Sequence, residues 1–200
     1  MRKFLKSIWV VTMTYPMLQC SKSEAAKPEV QSMAHISENI SEKENQKPND
    51  DNWIFVNTEV AVMGDVFKPL TLTVDSLKKM NVKEIKDFDI VSHSGITKEH
   101  IKSVKGVLLK EILEKAKITQ QDHTDRNFYI VARASDDYKA TFSWAELFNN
   151  PTGDKTYVVF EKDEKPLKEE GEMILISLSD TKTDTRHVKW LKSIEVTRVQ

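Results

Sequence analysis

From Trp53 to the end of the chain, apolar positions recur in short alternating runs separated by charged turns. Alternation with period two sends successive side chains to opposite faces of a strand. "WIFVNTEVAVMG" (53–64) reads as one or two strands, and "LTLTV" (70–74) as another. Asp75 then stands where a short helix through Met80 would take its N-cap. "VKEIKDFDIVSHS" (82–94) sets Phe88 and Ile90 against Asp87 and Asp89, a further strand. The period changes in "GVLLKEILEKAKI" (106–118), where Leu108, Leu109, Ile112, Leu113 and Ala116 share one helical face. Lys110, Glu111, Glu114 and Lys115 fall on the other face, Glu111 and Lys115 at the i,i+4 spacing.

"NFYIVARA" and "YKATF" form a strand pair across "SDD". Ser143 and Glu146 make a capping box for the short helix "WAELF". "TYVVFEKDEKPL" and "EMILISLSD" give strands around a charged turn, and "RHVKWLKSIEVTRV" a turn or helix followed by a last strand. Strands and short helices mix without a βαβ repeat. The expected fold is therefore α+β: a mixed, mostly β-sheet domain with short helices over residues 53–200.

The first 52 residues follow another rule. Arg2, Lys3 and Lys6 precede the mostly apolar stretch Ile8 to Leu18, which is too short to span a bilayer and contains Pro16. Positive charge before a short apolar run reads as an export signal over residues 1–19. The run ends in "TYPMLQCSKSE", which holds the only cysteine, Cys20. This arrangement resembles a bacterial lipoprotein signal, with Cys20 as the lipidated first residue of the mature chain. Gln19 departs from that pattern, in which a small residue usually precedes the Cys. The polar residues that follow, through residue 52, hold no aromatic side chain and cannot bury enough surface to offset their ordering entropy. Residues 20–52 read as a tether with a reach of roughly 30 Å. The resemblance implies a cell-envelope location, and Ser21 and Lys22 favour the outer membrane.

Formal net charge is −1, and loss of residues 1–19 leaves the mature chain mildly acidic. No basic stripe marks a nucleic-acid partner. One Cys excludes an intramolecular disulfide, and the His residues lack the spacing of a structural zinc site.

Four stretches in order, "GVLLKEILEKAKI", "SDDYKATFSWAELF", "KPLKEEGEMILISLSD" and "RHVKWLKSIEV", together resemble the molybdopterin-binding domain of sulfite-oxidase-like oxidoreductases over residues 58–198. The resemblance implies a metal held by a pterin dithiolene and one Cys thiolate at a strand end before a Gly turn. The matching place here is "IVSHSGI" (90–96), which offers Ser92, His93 and Ser94 but no Cys. The pterin phosphate would need a basic pocket, for which Arg133, Arg186 and Lys189 are the matching cations. "SDTKTDTRHV" departs from the family: Ser179 and Asp180 stand where Pro-Gly is common, and Asp180 and Asp184 repel a phosphate.

The resemblance therefore implies a retained scaffold without the thiolate. The leading expectation is a non-catalytic, membrane-anchored domain that binds a small molecule or an envelope protein and uses no cofactor. One alternative keeps molybdopterin, with His93 or no protein ligand in the Cys place, beside a deep basic pocket. The other is an accessory subunit of a surface complex. Plainer roles are expected for other residues. His93 and His187 would lie at the surface, His123 in a loop, and His100 would have no metal partner. Arg133 would pair with Asp136 or Asp137, and Trp144 and Trp190 would anchor the core. "EKDEKPLKEE" (161–170) would be a solvated hairpin. No nucleophile elbow surrounds any Ser.

Overall fold

The computed structural model describes residues 52–200. The leader over residues 1–19, Cys20 and the tether as far as residue 51 lie outside the described residues.

Two sheets form the domain. The first contains β1 (Val60–Gly64), β2 (Leu70–Leu72), β5 (Phe128–Ala134), β6 (Lys139–Ser143) and β10 (Leu191–Arg198), ordered β2-β1-β10-β5-β6. Only β1 and β10 run parallel, Ala61 opposite Ser193. The second contains β3 (Lys83–Val91), β4 (Thr97–Leu108), β7 (Thr156–Lys162) and β8 (Lys165–Pro166), with β9 (Ile174–Ser177) also paired to β7. Helices α1 (Val74–Lys78), α2 (Leu109–Ala116) and α3 (Trp144–Phe148) complete the order. The mostly β, α+β expectation holds.

The principal core joins Val60, Ile130 and Ile194 of the first sheet to Leu109, Ile112 and Leu113 of α2 and to Val158 and Leu175 of the second. The second sheet is covered on its other face too, where Ile101, Val159, Ile174 and Ile176 form a smaller core. Burial on both faces explains why β9 is apolar at consecutive positions.

Local chemistry sets the boundaries. Ser143 and Glu146 form the expected capping box: the Ser143 side chain accepts from the Glu146 N–H, and Glu146 accepts from the Ser143 N–H. At α1 the cap is Thr73 rather than Asp75, which occupies the first turn instead. "WIF" folds as a 3-10 turn (Asn52–Phe55) instead of a strand. Gly106 to Leu108 end β4 instead of opening α2. Gly106 is required there, since a Cβ would lie 2.6 Å from the Val158 carbonyl oxygen, at a register shift against β7. Among the described residues, no helix is long and apolar enough to cross a membrane.

Candidate functional site

A cavity of about 440 Å³ opens where the ends of both sheets meet. The second sheet contributes Ile90 from β3 and Lys98 and Glu99 from β4. The β5–β6 turn contributes Asp136 and Tyr138, and the segment between β9 and β10 contributes Asp184, His187, Lys189 and Trp190.

Each contributing segment is fixed by its backbone. In the β5–β6 turn, Asp137 takes a left-handed φ of 69° while the Asp136 carboxylate accepts the Tyr138 N–H at 3.1 Å. The Tyr138 hydroxyl donates to the Thr185 carbonyl at 2.7 Å, joining the turn to the 3-10 helix Thr183–Arg186. Val188 then pairs with Leu175 of β9 through two hydrogen bonds, which holds His187 against the core. Trp190 is left-handed at φ 47°, a conformation costing a non-glycine residue about 1 to 3 kcal/mol. Its N–H donates to the Glu170 carbonyl at 2.6 Å and its indole N–H to the Glu169 carbonyl at 3.0 Å. Strain held this firmly beside a cavity is a common mark of a functional wall.

His187 is the unusual side chain. It is 7 % exposed, and neither ring nitrogen has a hydrogen-bond partner. Burial pushes it down to about 4, against the opposing pull of the Glu170 carboxylate, so the ring is neutral at pH 7. A neutral ring offers one N–H donor and one nitrogen acceptor. Both nitrogens are sealed from solvent, so the ring lies beside the cavity with its polar atoms turned into the fold and without partners there.

Behind the wall lies a connected charge cluster. Lys189 donates to Glu170 at 2.9 Å, Lys162 reaches Glu170 at 3.2 Å and Glu99 at 3.1 Å, and Lys98 reaches Asp184 at 2.8 Å. Burial would raise the Glu170 carboxyl, but the ammonium groups of Lys189 and Lys162 outweigh it and hold the group below the usual range. The second oxygen of Glu170 is buried without a partner.

The four cofactor-binding candidates do not converge. His93 lies exposed in the β3–β4 turn, where Ser92 and Ser94 bond each other at 2.9 Å. Arg133 pairs at 2.7 Å with Glu195 across the β5–β10 pair, not with Asp136 or Asp137, beside a different cavity of about 320 Å³. Arg186 is 19 % exposed and held by Asp180 and Glu146. Only Lys189 lines the larger cavity. His100 lies 2.8 Å from Asp89. His187 is buried, contrary to the surface position expected from its neighbour Arg186, because the bridge at Val188 draws it inward. The charged run 161–170 is also not wholly solvated: the Glu170 side chain is only 16 % exposed. Its one sequence signal is the following Gly171, whose φ of 91° turns the chain against Trp190.

Residues 46–200 match the family described as the oxidoreductase molybdopterin binding domain. The chain belongs to this family. The sulfane dehydrogenase SoxCD from Paracoccus pantotrophus has a similar fold: TM-score 0.51 and 14 % identity over 70 % of this chain and 38 % of that one. The chain thus spans well under half the length of that relative. No curated protein matches it.

Within this molybdopterin-binding-domain family, the residues present do not fit a phosphate-bearing cofactor with a thiolate-held metal. Residues 52–200 contain no Cys. Arg133, Arg186 and Lys189 are each held by a carboxylate within 2.9 Å. Around the cavity, Glu99, Asp136 and Asp184 outnumber Lys98 and Lys189.

Proposed function

We propose that this protein is a lipid-anchored component of the bacterial cell envelope, held by Cys20 in the outer membrane. Its molybdopterin-oxidoreductase-like domain binds a small ligand, or a protein partner through it, without redox turnover. One observation carries the reading: the three matching cations are each neutralised by an internal carboxylate, at 2.7 Å for Arg133, 2.5 Å for Arg186 and 2.9 Å for Lys189. A phosphate entering beside them would have to displace a charge-assisted hydrogen bond and face the carboxylate left behind. The absence of a thiol from residues 52–200 supports the same conclusion.

Family membership favours a second reading, a molybdenum-cofactor oxidoreductase with a metal site that lacks Cys. Oxidative release of pterin from protein purified from its native host separates the two. The proposal expects no fluorescent pterin above background; a stoichiometric yield would establish the second reading.

A further inference from the structure

We propose that His187 and Glu170 form an acid-operated latch. A proton on the buried ring draws the Glu170 carboxylate to it and releases Lys189 from its internal partner into the cavity.

The geometry starts with three sealed atoms. Both His187 ring nitrogens and Glu170 Oε2 are buried without a hydrogen-bond partner. They belong to one neighbourhood. Val188 bridges to Leu175, and His187 is extended at φ −100° and ψ 96°. Alternation along an extended chain sends Val188 into the core and the His187 and Lys189 side chains to one common side. Lys189 donates to Glu170 Oε1 at 2.9 Å, which brings that carboxylate beside the ring. Of the carboxylates around it, Glu170 acts on the ring most strongly. Neutral His187 makes no hydrogen bond to it; a protonated ring carries a charge and an N–H on each nitrogen.

The other charges around the ring are already engaged. On the second sheet, Glu99 is held by Lys162 at 3.1 Å. On its own segment, Asp184 is held by Lys98 at 2.8 Å. Across the cavity, Asp136 lies in the exposed β5–β6 turn and accepts the Tyr138 N–H. Glu170 is thus the carboxylate with a buried oxygen to spare.

Charge balance decides what gives way. Glu99, Lys162, Glu170 and Lys189 form an alternating chain, with contacts of 3.1, 3.2 and 2.9 Å. Two carboxylates match two ammonium groups. A charged His187 makes three cations to two anions, a surplus that a buried cluster relieves by sending one charge to water. Lys189 is 38 % exposed against 21 % for Lys162, so Lys189 leaves. It lines the cavity, which thereby gains an ammonium without an internal carboxylate. The latch ties the charge of the cavity wall to the acidity outside.

NMR of the isotope-labelled mature protein in detergent micelles tests this, following the His187 ring and the Lys162 and Lys189 ammonium nitrogens from pH 7 to 3. The expected result is a Lys189 transition with the same midpoint as the ring, about 4, while Lys162 stays in place. In His187→Gln, folded by circular dichroism, Lys189 is released only at lower pH, where Glu170 itself takes up a proton. In Glu170→Gln, Lys189 is already free at pH 7 and the ring titrates at lower pH than in wild type. A ring that titrates while Lys189 stays still, a Lys189 midpoint unchanged in His187→Gln, or loss of the folded spectrum before the ring titrates would each overturn the latch.

Discussion

Asp180 grips one edge of Arg186: Nε donates to Oδ2 at 2.7 Å and Nη2 to Oδ1 at 2.5 Å. Nη1 donates to Glu146 at 3.1 Å, and the guanidinium carbon lies 4.4 Å from the centre of the Phe142 ring. A bidentate pair of this kind is among the stronger protein hydrogen bonds. Arg186 therefore ties the segment before β10 to β6 and α3, and its charge is already used inside the fold.

Removing that grip has a structural cost. Asp180→Ala leaves a largely buried guanidinium with Glu146 as its remaining carboxylate. Loss of one partner of a buried pair costs about 3 to 5 kcal/mol, and the Glu146 contact reduces the expected loss to about 2 kcal/mol. Urea unfolding of the variant against the wild type measures it. A change below about 0.5 kcal/mol would show that the pair is a surface contact of little consequence.

His187 predicts an acid-sensitive fold. Its folded pKa of about 4 lies below the ordinary 6.5, so between those values the unfolded chain binds a proton that the folded chain does not. Stability therefore falls as pH is lowered through that window, by about 3 kcal/mol in full. Glu170, whose pKa is depressed from 4.5, loses its contribution only at lower pH, so the two are separable. Denaturant unfolding from pH 7 to 4 should show the loss in wild type and its absence in His187→Gln. Equal slopes in the two proteins would contradict the buried neutral ring.

The turn at Gly171 predicts a local defect. Its φ is 91°, and an added Cβ would lie 2.9 Å from the Trp190 Cα. Gly171→Ala should destabilise by about 1 to 3 kcal/mol and shift the Trp190 indole N–H resonance by loosening its bond to Glu169. An unchanged indole signal would show that the Trp190 wall does not depend on this contact.

Much of the fold could be read from apolar spacing. The α2 stripe, the β5–β6 hairpin and the Ser143–Glu146 box obey local rules that tertiary contacts reinforce. Strand β4 could not be read, because Lys98, Glu99, His100, Lys102 and Lys105 interrupt it. Its first part is an exposed ribbon against β3, where the partner backbone rather than burial holds it. The site was less legible still. Lys189 was indicated by resemblance, but His187 and Glu170 owe their burial to the Val188–Leu175 bridge and to the Gly171 turn, both long-range contacts that no local period encodes.

The proposed anchoring rests on a single thiol, Cys20. Cys20→Ser should move the protein from the detergent-rich to the aqueous phase on Triton X-114 partition of native-host cells, since a multiply acylated Cys holds a membrane stably and an unmodified chain does not. Retention of the variant in the detergent phase would remove Cys20 as the anchor.

The most direct test of the proposal that the domain keeps the family fold without a metal is the molybdenum-to-protein ratio of material purified from the native host, read by inductively coupled plasma mass spectrometry. The account predicts a ratio near zero under growth conditions in which other molybdenum enzymes of the same cells are loaded. A ratio near one would contradict it.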